Sequence, residues 1–503
     1  LVTGVQTCAL PIYGEGGFKK LLKQGFYCKN THYNYVPTYT GPGHASIYTG
    51  TTPATHGIIA NTWYNKYIAQ EIYCTQDDSV FSVDVTGKAG KMSPTNLKAS
   101  TITDELKIST NGRAKVIGVS LKDRGAILPS GHAADAAYWM DNETGNWISS
   151  SFYMDKLPGW VKGVNDANAA DAFIKKGWNT LLPISNYVES IEDNNSYEGL
   201  FAGELQPVFP HNLTESFEDI KYEVIKYTPY GNTLLRLFAE SAIENESLGQ
   251  DNITDFLTLS FSSTDYIGHM YGPKSVEIED TYLRLDKELE GLLKYLDSKV
   301  GDENYTVFLT ADHGAVEVPK YLKDQKQSAG YYNSAELVNE VNTCLNEKYG
   351  DGQWIAFFSN NQFYYSDSLK TMNMAEVNTV VKECLLKQEG VSNVFTKDQI
   401  VAGNSSNAIF TAIQLGFNQK LSGDLVVVFE PNWIKQVETG TTHGTPYNYD
   451  THVPLIWFGK GISTGSTVRR VEITDIAVTL SHLYNINLPN AAIGNPIEEL
   501  FYK

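Results

Sequence analysis

The sequence predicts an α/β protein: a doubly wound, mostly parallel sheet with helices on both faces and inserted cap segments. Three observations carry this. Short apolar, β-branched runs end in polar or glycine-rich stretches, helical patterns lie between them, and two long stretches interrupt the alternation. Strand alternating with helix favours parallel pairing, because each crossover helix returns the chain to the same end of the sheet.

In chain order the strands are AKVIGVSL (114–121), FLTLSFS (256–262), YTVFLTA (305–311) and VPLIWFG (453–459). The helices include VEIEDTYLRLDKELEGLLKYLDSKV (276–300) and TDIAVTLSHLYNI, with Thr474 or Asp475 as its N-cap. The stretch at about 130–225 is rich in Trp, Tyr, Asn and Gly, including Trp139, Trp147, Trp160 and Trp178, and reads as a lid or crown. The stretch at about 336–434 carries its own signals, ELVNEVNTCLNEKYG, WIAFFS, VNTVVKECLLKQ and DLVVVF, and reads as a second insertion. Residues 13–503 are therefore expected to form one domain with two insertions.

With 39 basic against 58 acidic residues the chain has a net charge of -19, which argues against a general nucleic-acid binder and against adhesion to anionic membranes. It holds no run of about 18 apolar residues, so no membrane span is expected. Residues 1–12, LVTGVQTCALPI, stand apart: a string of codons for Val2–Ile12 resembles a sequencing adapter, and no export-signal pattern is present. They read as an artefact standing where a signal peptide and a first strand are expected. Without Cys8, the pairs Cys28 with Cys74 and Cys344 with Cys384 would suit an exported protein, although four cysteines allow three connectivities and buried free thiols are an equal alternative.

The chemistry gathers at strand ends, where α/β sheets collect their ligands. Asp265 and His269 follow one strand, four residues apart, so a single helical turn aims both at one point. Asp312 and His313 follow another strand, and His443 and His452 precede a third. Carboxylate and imidazole are ligands that zinc takes readily, and three such clusters in one chain point to a metal site. In VPTYTGPGHAS, Thr40 precedes Gly41-Pro42-Gly43; glycines that let the backbone turn, with a helix starting near Pro42, would aim free N–H groups at Thr40 and at a bound anion. Metal coordination would turn the poor threonine nucleophile into a good one. Lys122 and Arg124, two apart after a strand, would share a face and grip a phosphoryl group, and Asn61 would donate its amide to a phosphoryl oxygen.

These residues, in the stretches NYVPTYTGPGHASIYTGTTPATHGIIANTWY, SLKDRGAILP, TDYIGHMYGP, TADHG and THGTPYNYDTHVPL, resemble the alkaline phosphatase superfamily. The nearer resemblance, from about Tyr13 to the C-terminus, is to the phosphate-irrepressible alkaline phosphatases, related to type I phosphodiesterases and nucleotide pyrophosphatases. It implies two Zn2+ ions, with Asp265, His269 and His443 holding one and Asp312, His313 and the nucleophile Thr40 holding the other. Asn61, Lys122 and Arg124 would contact phosphoryl oxygens. His443 is preferred to His452 because GTTHG resembles the family's glycine-preceded His-Gly element. The resemblance also implies small phosphate monoester substrates, a phosphothreonine intermediate, a monomer, and a periplasmic or secreted parent protein. One departure stands out: the family has a further Asp ligand at the end of its first strand, and this chain has none before YGEGGF. A chain without it would bind metal less well and catalyse poorly.

The rivals are a nucleotide pyrophosphatase or phosphodiesterase on the same scaffold, a phosphomutase, and a non-catalytic binding protein. A sulfatase is disfavoured because no Cys/Ser-x-Pro-x-Arg motif surrounds Thr40.

Overall fold

The computed structural model describes residues 13–403 and 405–501; the adapter-like segment 1–12 lies outside them. Two five-stranded sheets form the frame. The strands that matter here are β1 (Phe26–His32), β2 (Val116–Ser120), β3 (Ala136–Met140), β4 (Trp147–Ser150), β5 (Phe256–Ser260), β6 (Thr306–Thr310) and β7 (His452–Gly459). In the first sheet β7 pairs antiparallel with both β1 and β6. In the second, β2 pairs parallel with β3 and β5, and β4 closes antiparallel on β3. The sheets are thus mixed. The last long strand runs antiparallel to both of its long neighbours, and β3 and β4 are joined as a hairpin.

Residue alternation shows why helices cover both faces. Along β3, Tyr138 and Met140 pack into one core, while Ala137 and Trp139 pack into another. Along β7, Ile456 and Phe458 face the first core, while Leu455 and Trp457 face a third. A strand apolar on both faces is stable only when neither face meets water.

The inner edges of the two sheets behave differently. β5 pairs only with β2 and β6 only with β7, so each leaves one edge without a ladder partner among the described residues. Both line one elongated cavity of about 1250 Å³, walled by Leu285, Leu289 and Leu292 of the helix Val276–Lys299 and by Tyr48. In consequence Leu257, Leu259, Val307 and Leu309, mid-strand aliphatics, are only half-buried. The cavity runs to Thr40, His44 and Asp312 at the strands' carboxyl ends.

Strands β3 and β4 fall inside the stretch read as a first cap, so its irregular part runs from about 151 to 225. Residues 334–435 contain a four-stranded antiparallel sheet packed against the helices Ser334–Tyr349 and Met374–Leu385. Cys344 and Cys384 join those two helices in a disulfide, with Cα atoms 6.4 Å apart. The other expected pair does not form. Cys28 is buried within β1 and Cys74 in a separate apolar cluster, so each serves as a small core residue.

Candidate active site

Thr40 is the first residue of the helix Thr40–Thr49 and is 2% exposed. Gly41, Pro42 and Gly43 lie within its first turn, so the helix starts two residues earlier than Pro42 and the glycines do not serve a sharp turn. Close approach is their reason: a Cβ on Gly43 would stand 2.5 Å from the Asp312 carbonyl oxygen. The helix thereby reaches the end of β6. Proline costs nothing in a first turn, where its missing N–H would have no helical partner.

Around Thr40 the groups from three strand ends converge. The Thr40 hydroxyl lies 3.5 Å from His313 Nε2, and that nitrogen is 3.5 Å from Asp312 Oδ2 and 3.9 Å from Asp265 Oδ1. Asp265 and His269 occupy one face of the helix Ser263–Tyr271, with His269 Nε2 3.2 Å from Asp265 Oδ1. His443 Nε2 approaches the same oxygen at 3.7 Å. His443 also stacks on His313, ring centres 3.4 Å apart. His452 is elsewhere: it stacks on His32 and points Nε2 at the Lys29 carbonyl.

Asp265, His269 and His443 pass a test as a metal site. Their ligand atoms lie within 4.8 Å of one another, and Asp265 Oδ1 is buried without a hydrogen-bond donor. His269 and His443 each donate Nδ1–H to a backbone carbonyl, of Thr441 and Thr38, at 2.8 Å. That fixes the tautomer and leaves both Nε2 lone pairs facing the carboxylate. Protonation favours ligation too. Burial pushes His313 down to about 4 and, with His313 beside it, His443 well below its ordinary value. Burial alone would raise Asp265, but Lys122 and His269 hold its carboxyl well below the usual range. His313 and His443 are thus held neutral and Asp265 ionised, the forms that bind metal, whereas burial of His269 is outweighed by Asp265, which raises it.

The polar pocket beside it is built from the ends of two other elements. The Gly41 N–H donates to Asn61 Oδ1 at 2.7 Å, which orients that amide so that its NH2 group remains to donate. Strand geometry does not persist to Arg124 as expected: β2 ends at Ser120, Lys122 caps the helix Asp123–Ser130, and Arg124 sits in its first turn. Lys122 Nζ donates to Asp265 Oδ2, and Arg124 Nη1 donates to Tyr73 OH at 2.9 Å. Tyr73 in turn donates to Asp123 at 2.6 Å. Sequence reading missed His44, whose Nδ1 bonds the Thr40 carbonyl at 2.9 Å and lies 3.5 Å from Asp312 Oδ2. Its i, i+4 spacing from Thr40 in TGPGH was the available signal.

A helix N-terminus, a buried hydroxyl and carboxylates and imidazoles gathered at strand ends, three of them able to hold a metal, suit a hydrolytic site of the alkaline phosphatase class. The chain belongs to the type I phosphodiesterase / nucleotide pyrophosphatase family, whose model matches residues 9–452. It is 41% identical over 493 residues to alkaline phosphatase PafA of Elizabethkingia meningoseptica, covering 97% of this chain and 90% of that one. It is 45% identical over 494 residues to a Myroides odoratus protein named calcium-transporting ATPase, covering 97% and 90%. The solved structure of wild-type PafA superposes with a TM-score of 0.96 over 99% of this chain and 96% of that one, at 41% identity. The chain is accordingly an enzyme of the alkaline phosphatase class, with the fold that its sequence resemblance implied.

Proposed function

We propose that the protein hydrolyses small phosphate monoesters through a phosphothreonine on Thr40. The observation that carries this is the convergence of Thr40, Asp312 and His313 on one side and Asp265, His269 and His443 on the other, beside a helix N-terminus. The named phosphatase relatives support it. No described helix is long and apolar enough to cross a membrane.

Asp265, His269 and His443 would hold one Zn2+, and Asp312, His313 and Thr40 the second. Such ions supply positive charge that acidifies a hydroxyl and neutralises charge developing on phosphoryl oxygens. The chain's own groups do the rest. Thr40 Oγ1 attacks phosphorus as the bond to the ester oxygen breaks, and water then cleaves the phosphothreonine to release phosphate. The Asn61 amide, Lys122 and Arg124 bind the phosphoryl oxygens, at the positive end of the helix Thr40–Thr49. Lys122 and Arg124 have internal partners in Asp265 and Tyr73, and exchange them for a dianion when substrate arrives. Such a grip favours a monoester over a diester, whose second substituent would meet those cations without a charge to offer. Two ions at contact range outweigh the chain's overall negative charge, because solution salt screens charges beyond about 8–10 Å. Periplasmic or secreted location and a monomeric state remain part of this proposal through the resemblance.

The test is the ratio of monoesterase to diesterase turnover in zinc, for the protein and for Lys122→Ala with Arg124→Ala. Monoesterase activity should fall at least tenfold more than diesterase activity, given about 1.5–3 kcal/mol per hydrogen bond to a charged group. A natural preference for diesters would favour the phosphodiesterase reading instead.

A further inference from the structure

One lysine beside the site has no hydrogen-bonded partner among the described residues. Lys226 is the penultimate residue of the short 3-10 helix Lys221–Tyr227 of the irregular stretch and is 5% exposed. Among the described residues its ammonium group makes no hydrogen bond or ion pair; its contact is the ring face of Tyr266, with Nζ 5.8 Å from the ring centre. Lys122 Nζ addresses the same ring at 4.4 Å. Tyr227, the next residue, packs edge-on against Tyr266 at 5.0 Å, which fixes this helix against the one carrying Asp265.

The charged groups facing Lys226 are Glu223 from its own helix and Asp123, Arg124 and Lys122 from across the pocket. Neither carboxylate pairs with it, and Asp123 is engaged by Tyr73 and Thr75. Burial, against the pull of Glu223 and Asp123 and helped by Lys122 and Arg124, brings Lys226 down to about 8. The Lys226 ammonium has no anion beside it, whereas Lys122 and Arg124 both have internal acceptors. Arg124 Nε is also buried without a partner. This side of the pocket therefore has more donors than its own acceptors use.

We propose that Lys226 is a specificity-determining residue that binds a second anionic group, a phosphate or carboxylate on the leaving group of a phosphate monoester. This rests on the reading of the site above, in which Lys122 and Arg124 hold the transferred phosphoryl group. Lys226 is placed off that centre: it meets Tyr266 at the greater distance and bonds neither Asp265 nor any group around Thr40. The irregular stretch thereby contributes to substrate choice, not only to cover.

The experiment is calorimetric binding of phosphonopropionate and of methylphosphonate to the zinc-loaded protein. Because it needs no turnover, it stays readable even if the phosphatase reading fails. The protein should prefer phosphonopropionate, and Lys226→Met should reduce that preference about tenfold, the scale of one charge-assisted hydrogen bond. Lys226→Arg should keep most of it. Lys226→Gln gives the same comparison if the Met variant does not fold. An unchanged ratio of the two affinities in Lys226→Met would overturn the proposal. An equal fall in both would overturn it as well, since Lys226 would then serve the common phosphonate.

Discussion

The two edges that flank the active-site cavity and the unit at residues 334–435 are built to different standards. In the unit, Val341, Leu345, Phe363, Leu385 and Leu425 are fully buried, and a disulfide ties its two helices. Along β5 and β6, Leu257, Leu259, Val307 and Leu309 are half-buried, and one backbone edge of each strand lacks a ladder partner among the described residues. The chemistry sits on the looser region. Asp265 and Asp312 both follow strands whose inner edges have no ladder partner among the described residues, so groups that reach across help to set the distance between the two halves of the site. The contacts of Asp265 with His313 and His443 do so, and metal bound there would add to them.

The comparison breaks most visibly at the site. Thr40→Ala should cost at least about 10³-fold in turnover, as loss of a nucleophile does, with little change in melting temperature. Asp265→Asn should lower turnover by a similar factor and should also abolish stabilisation by zinc, measured by thermal melting. In the unit the expected pattern is reversed. Cys344→Ser with Cys384→Ser should destabilise it by about 2–4 kcal/mol in denaturant unfolding, and phosphate release should stay close to that of the parent.

Two smaller effects sharpen the contrast. Gly43→Ala places a methyl against the Asp312 carbonyl and should cost about 1–3 kcal/mol, together with turnover, because helix and strand end must part. A pH titration of stability tests the packing of the irregular stretch on the helix Val276–Lys299. Burial opposes charge on His211, but Glu204 and Glu277, at 2.9 and 3.1 Å, raise it to about 9. A folded value above the unfolded one means that this stabilisation is complete below about 6.5 and is lost as pH rises through about 9. Glu198, raised to about 9 by burial and by Glu277, acts in the same direction from about 4.5 upward. Melting temperature should fall across this window, and His211→Gln should flatten the profile.

Much of this was legible in the sequence because period and punctuation agreed. The runs at 256–262, 305–311 and 453–459 became β5, β6 and β7, and the helix at 276–300 lost only its last residue. The site residues were legible because metal-binding side chains followed those runs directly. Other elements were hidden for physical reasons. FYCKNTH carries an exposed Lys29 and a half-buried Asn30 mid-strand, which masks a strand whose Phe26, Cys28, Thr31 and His32 are buried. Tyr138, Trp139 and Trp147 looked like cap residues by composition, yet they pack both faces of the second sheet. The choice of His443 over His452 rested on the GTTHG element alone, since both lie near the same strand.

The most direct measurement is phosphate release from a simple aryl monoester, with zinc content determined in parallel, on two proteins. One is this chain; the other carries, in place of residues 1–12, an apolar strand ending in Asp, which the family resemblance implies and which would fit between β5 and β6. The account predicts zinc binding and turnover in the second protein, well above that of the first. Absence of turnover in both, with zinc bound and the fold intact, would contradict it.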